Sequence, residues 1–401
     1  MKQTPRQRTA KDVKRRLLRK IIVLLCLAAV FAFLCVVSAD EQICEAFTRT
    51  ISRAWVAVFG TLLGWIPCSV YELFLIVAIV AAVCAVVFIV VFLCKRNFVR
   101  FFSLLLTVGI CVFGFLSVYT ASASFAYGRE PLPTVVYEKQ NPDDFDKAQA
   151  IDMAEKVIAE LNQAYRQTEH DQDGNLVLPS LAEIRADIAE EYKRIDGDAC
   201  GGYFSEYDPA VKPIVNKWVM SQMHIVGVFF APSGEANING VENNYNLPHT
   251  VAHEMAHGKG VMRENEANLV ASYLLLTSDK PYLRYSALMR VFYSAVSLVG
   301  MYPDTKDVVN MLYASVEQGV YKERAAYAEL WAKYTLVGDI GDWFNDLYLK
   351  FNKQTGSDSY YKPGESQGTG KTDNDGEEIK VIIRFSDTQD LLVMLYRRGL
   401  V

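Results

Sequence analysis

Histidine is scarce in this chain, five in 401 residues, so two that fall at a metal-ligand spacing stand out. Charge is also sparse. Only 22% of residues are Asp, Glu, Lys or Arg, 51% are hydrophobic, and the apolar residues are bunched rather than spread. That composition excludes a disordered chain and argues against a purely soluble one. Cysteine is nearly missing from the polar part, where Cys200 alone lies beyond residue 111. That part therefore holds no internal disulfide framework and no cysteine-based zinc ribbon. It lacks a basic face as well. Residues 130–401 carry 26 Lys/Arg against 41 Asp/Glu, a balance of −15, so no nucleic acid is expected as a partner. No internal repeat is visible.

The first 129 residues read differently. They hold 15 basic and 5 acidic residues, a balance of +10, around three long uncharged runs at 21–39, 73–93 and 101–121. Each run is close to the ~20 residues that a bilayer core requires. The apolar stretch 54–70 contains Gly60, Gly64 and Pro67 and reads as a re-entrant or interfacial piece; a fourth span is the lesser reading. Residues 1–20 form a basic cytoplasmic tail, and Lys95, Arg96 and Arg100 lie between the second and third runs. The loop after the first run has only Arg49 and Arg53 against Asp40, Glu41 and Glu45. The Lys/Arg bias thus predicts a multi-pass protein of the cytoplasmic membrane, N-terminus inside and C-terminal domain extracytoplasmic. Val37-Ser38-Ala39 resembles a signal cleavage site, but the long basic leader and further runs favour an uncleaved anchor. Cys44 and Cys68 could pair in the external loop.

A linker is expected over 122–141, extended at 131–136, followed by a domain over 142–401. Apolar spacing predicts a helix at 143–167. Ser180 and Glu183 form a capping box for a second helix ending near Ile195. The polar stretch 169–175 faintly resembles a calcium loop, but its twelfth position is Ser180 rather than Glu, so a plain turn is the better reading. A strand is expected at 224–231, a turn at 232–234 and a second, edge-like strand at Glu235–Asn239. Helices follow at about 247–258, 264–277, 284–300, 304–317, 321–336 and 340–353. Residues 356–378 read as a flexible insertion, 379–385 as a short strand and 387–397 as a last helix.

The chemistry concentrates in Pro248-His249-Thr250-Val251-Ala252-His253-Glu254-Met255-Ala256-His257-Gly258. On a helix, His253 and His257 leave one face about a turn apart, close enough for two nitrogens to hold one Zn²⁺. Glu254 can reach a metal-bound water without ligating and take its proton. This is the logic of His-Glu-x-x-His in metal-dependent peptide hydrolysis. Asn246 is placed to cap the helix, with Pro248 in its first turn and Gly258 and Gly260 at its end. The bland reading is a surface helix with incidental histidines.

A catalytic zinc needs a third protein ligand and an open position. Glu264 and Asn268 share a face of the next helix, so Glu264 is expected to ligate and Asn268 to hydrogen-bond a ligand histidine from behind. Glu266 lies about 200° around that helix, so it is only the alternate ligand. His249 is a second alternate, though a local polar contact is its simpler role. Tyr273, Arg284 and Tyr285 are candidate donors to an oxyanion, with packing as the default for each. Glu235, Ala236, Asn237, Ile238 and Asn239 form a candidate strand for pairing with an extended substrate.

His253–His257 followed by Glu264-Asn265-Glu266-Ala267-Asn268 resembles the gluzincin zinc metallopeptidases, which use His-Glu-x-x-His plus a downstream Glu. Over nearly its whole length the chain is also similar to a bacterial multi-pass membrane family known as a domain of unknown function. The shared segments are 232–239, 253–257, 263–268 and Arg284-Tyr285-Ser286. The resemblance implies a zincin-like peptidase fold but no particular substrate. The gap between His257 and Glu264 is short for gluzincins, and 356–378 interrupts an otherwise compact end.

The fold class expected is therefore mainly α: N-terminal transmembrane helices plus an α+β zincin-like domain with a small sheet. The function expected is a membrane-anchored zinc metalloprotease with one Zn²⁺, acting on a peptide or protein substrate, with the lipid bilayer as its other partner. The alternative is a non-catalytic membrane sensor or scaffold with a structural or degenerate zinc site, in which His249 could be a fourth ligand.

Overall fold

Apolar length organises the first part of the chain. In the computed structural model, which describes residues 5–195, 200–241, 244–334, 346–347, 350–352, 354, 363–372 and 378–401, the chain is mainly helical. Helices α1 (Pro5–Val37), α2 (Glu41–Phe47), α3 (Arg53–Gly64), α4 (Val70–Cys94) and α5 (Phe98–Ser122) follow in order, with a π-helical turn over Thr48–Ser52. Among the described residues, three stretches are long and apolar enough to cross a membrane: Lys11–Val37, Val70–Cys94 and Phe98–Ser122. The 12 residues of α3 rise only about 18 Å, short of a ~30 Å hydrocarbon core. The first apolar helix begins before the expected residue 21 and takes in Lys20. The Lys20 ammonium donates to Ser103 O (3.0 Å), Ser103 Oγ (2.9 Å) and Thr107 Oγ1 (2.6 Å) on α5.

These residues and Phe230–Gly234 form one compact unit; 131–229 and 235–401 form the other. In the first unit the Arg129 side chain is fully buried and grips Glu45 with two donors, at 2.9 and 2.8 Å. Burial raises the Glu45 pKa, but the guanidiniums of Arg129 and Arg49 outweigh it and hold the carboxyl at about 2. The expected option of a Cys44–Cys68 disulfide is not realised: both are thiols, and Cys44 lies buried against Gly128.

The linker is shorter than expected. Leu132 and Val136 are already buried in the core of the second unit, so the polar domain starts near residue 131 rather than 142. Helix α6 (Lys147–Gln167) opens on a capping box of Asp146 and Gln149, later than residue 143 because Pro142–Asp144 forms a separate 3₁₀ turn. Helix α7 (Leu181–Ile195) uses the Ser180–Glu183 box as expected, Glu183 Oε2 accepting from both Ser180 N and Ser180 Oγ. Residues 171–175 form a turn held by Asp171 Oδ1, which accepts from the amides of Asp173 and Asn175.

Strand β1 (Ala210–Ile214) and helix α8 (Lys217–Gln222), unforeseen in the sequence, precede β2 (Gly227–Phe230) and β3 (Glu235–Asn239). The strand expected from 224 begins later, because His224 sits at φ +53° and closes the turn after α8. The sheet order is β1-β3-β2, so β3 is central and not edge-like. It runs parallel to β1, with Ala210 opposite Glu235 and Ile214 opposite Asn239, and all five of its residues are buried.

Helices α9 (Leu247–Gly258), α10 (Glu264–Leu276), α11 (Pro281–Val299), α12 (Lys306–Ala314) and α13 (Gln318–Trp331) follow, and α10 and α11 with α6 supply the largest shares of the core. The helix expected at 340–353 falls largely outside the described residues. The expected insertion contains strand β4 (Glu365–Thr372), which pairs antiparallel with β5 (Glu378–Arg384), the short strand expected at 379–385; residues 356–362 and 373–377 lie outside the described residues. Helix α14 (Asp387–Arg397) closes the chain.

Candidate metal centre

Helix α9 carries the His-Glu-x-x-His segment and packs against β3, α7, α10 and α11. Pro248 suits its first turn. Asn246 stands at the N-cap position but makes no side-chain capping bond. Its amide nitrogen donates instead to Thr250 Oγ1 and Tyr327 OH, both at 3.3 Å, and its oxygen accepts from Arg290. The helix stops at Gly258, and Gly260, at φ +96°, turns the chain so that α10 can start at Glu264.

This reversal brings His253, His257 and Glu264 together. One ligand atom from each lies within 4.8 Å of the others, and no fourth His, Cys, Asp or Glu joins them among the described residues. Glu264 Oε2 is 3.0 Å from His253 Nε2, and Glu264 Oε1 is 3.6 Å from His257 Nε2. Donors on a tetrahedral Zn²⁺ with bonds near 2.0–2.1 Å are separated by roughly 3.3 Å. The two observed separations, each to a different carboxylate oxygen, lie close to that value, and two imidazoles plus one carboxylate is a donor set suited to Zn²⁺.

Both imidazoles are held from behind. His257 Nδ1 donates to Val261 O at 2.8 Å; a carbonyl only accepts, so this nitrogen carries the proton and Nε2 faces Glu264. His253 Nδ1 is 3.0 Å from Asn268 Oδ1 and is oriented in the same way. Burial lowers the His257 pKa, but the carboxylates of Glu264 and Glu254 outweigh it and push the imidazole up to about 9. Burial raises Glu264, and the two histidines reverse this and hold its carboxyl well below the usual range.

Glu254 projects beside this group from the same helix. It is 4% exposed, and burial raises its pKa against the lowering field of the histidines. The Phe229 amide donates to it, while its Oε2 has no hydrogen-bond partner among the described residues. A buried carboxylate oxygen left in this way calls for an outside donor such as water. Gly227 makes room for it: a Cβ there would fall 2.4 Å from Glu254 Oε1.

The other candidates lie elsewhere. Glu266 is ion-paired with Arg263. His249 is buried with Nε2 3.1 Å from Ser272 Oγ, and its pKa is lowered by burial, by the charge of Arg290 and by His253. Tyr285 donates to Glu323 at 2.7 Å, Arg284 is paired with Glu160, and Tyr273 is buried. None of these tyrosine or arginine side chains joins the cluster. Gly227, Phe229 and Val261 were not singled out from the sequence. Gly260, a turn residue just past the helix, was the only local signal that a carbonyl would meet His257.

The chain belongs to the family described as "Protein of unknown function (DUF3810)", whose model matches residues 47–363 and so includes all of the cluster. No curated protein and no solved structure matches the chain.

Proposed function

We propose that this protein is a membrane-anchored, zinc-dependent metalloprotease. The observation that carries this reading is the convergence of His253 Nε2, His257 Nε2 and Glu264 beside the unpartnered Glu254 Oε2. A bound Zn²⁺ would supply a Lewis acid that polarises a peptide carbonyl and acidifies water. His253, His257 and Glu264 would hold it, with Val261 O and Asn268 keeping both rings in the ligating tautomer. Glu254 takes a proton from water at Oε2 and passes it to the leaving amine; its raised pKa suits both steps. His249 is committed to Ser272, which favours a three-ligand site with an open position over a closed structural one.

With β3 central, β1 and β2 are the outer strands of the sheet order, and β2, the one beside Glu254, is the strand offered to an extended substrate. Gly227 touches Glu254, and the Phe229 ring lies 6.4 Å from the His257 ring. The three apolar helices anchor the chain in the cytoplasmic membrane, and the Lys/Arg bias puts the catalytic domain on the extracytoplasmic side.

Glu254→Gln in the detergent-purified full chain tests the mechanism on a fluorogenic peptide library. It should keep its zinc and lose hydrolysis by about 10²–10⁴-fold. Unchanged hydrolysis refutes the role of Glu254. His249→Ala should retain zinc; loss of the metal would favour the closed site.

A further inference from the structure

A second site lies at the opposite end of α9. Asn246 precedes His253 by seven residues, about 10 Å along the helix axis, and helps to line a cavity of about 310 Å³ with Tyr245, Arg290, Arg324, Tyr327 and Ala328. Two guanidiniums thus face one small cavity. Among the described residues neither has a carboxylate within ion-pair distance, although residues 130–401 hold 41 Asp and Glu. Arg166, Arg194, Arg263 and Arg284 in the same unit are each paired with a glutamate.

Both side chains are held in place by neutral partners. Arg290 donates one N–H to Asn246 Oδ1 at 2.7 Å, and Asn246 is 3% exposed. Arg324 lies over the Tyr293 ring, 4.2 Å from its centroid, and donates to Met289 O at 3.4 Å. A guanidinium has five N–H donors in a rigid fork, so most remain available on each. Two like charges without a counter-ion repel, and an anion between them relieves that cost while matching the fork geometry. The cavity volume suits a small molecule and not a peptide strand.

We propose that Arg290 and Arg324 form an oxyanion site for a small carboxylate- or phosphate-bearing ligand. It is separate from the metal centre and independent of the peptidase reading. Calorimetric titration of the detergent-purified full chain with sodium phosphate, and separately with sodium acetate, tests it at fixed ionic strength against chloride. At least one of the two ions should saturate the protein. Saturation by phosphate alone assigns a phosphate-bearing ligand, and saturation by acetate alone a carboxylate. Arg290→Gln and Arg324→Gln should each weaken that binding at least about tenfold, or ~1.4 kcal/mol, with zinc content unchanged. Failure of both ions to saturate overturns the proposal. So does wild-type binding by either variant. If Arg324→Gln does not fold, Arg290→Gln decides alone, because Arg290 is exposed and its loss leaves the core intact.

Discussion

The protonation of His257 sets the chemistry of the cluster. Its imidazole is pushed from 6.5 up to about 9, so the metal-free cluster is an imidazolium–carboxylate pair at neutral pH. The raised folded-state pKa gives the sign: this stabilisation is fully present below pH 6.5 and is lost as pH rises through about 9. A metal competes for the same nitrogen, so Zn²⁺ affinity should rise with pH up to about 9. Calorimetry in buffers of different ionisation enthalpy should detect more protons released on zinc binding at pH 7 than above pH 9. Equal release at both would contradict the assignment of His257 as a ligand. Gly227 offers a second test at this scale. Gly227→Ala would drive a Cβ to 2.4 Å from Glu254 Oε1 and so displace that carboxylate. Peptide hydrolysis should fall by about 10²-fold with zinc retained; full activity would show that Glu254 needs no such clearance. The clustering of His253, His257 and Glu264 beside Glu254 was legible in the sequence because all four fall within twelve residues on two adjacent helices. Gly227 was not, since its contact with Glu254 spans twenty-seven positions and depends on how the sheet meets α9.

Among the elements, helices were read more accurately than strands. The expected 247–258 matches α9 and 264–277 overruns α10 by one residue, because the glycines after His257 and the polar start at Glu264 mark the junction locally. β3 was misplaced at the sheet edge because its parallel partner β1, with Lys212 and Pro213 at its centre, shows no apolar alternation. The signal lay in polarity instead. Lys212 is buried and pairs with Glu235, a fully buried residue of the central strand. Lys212→Met should therefore destabilise the domain by about 3–5 kcal/mol, because it leaves a charge buried without its partner. Urea unfolding of the purified variant would measure this. A loss below about 0.5 kcal/mol would place the pair at an exposed edge after all.

For the whole molecule, the sequence signal was strongest where physics is least specific. A bilayer asks only for length and apolarity, so all three expected runs coincide with helices long enough to span. The junction was harder. Leu132 and Val136 read as linker because burial in the core of the second unit leaves no mark on six residues of sequence. Strand β5 was read to within a residue, but its partner β4 was hidden by its Gly, Ser and Lys content. On the proposed reading, what would join these scales is one metal ion held by His253, His257 and Glu264 in a chain with three helices long and apolar enough to span a membrane. Elemental analysis of the detergent-purified full chain, beside a His253→Ala/His257→Ala variant of matched fold, tests this most directly. The account predicts about one zinc per wild-type chain and almost none in the variant. A metal-free wild type, or a variant that keeps its zinc, would contradict it.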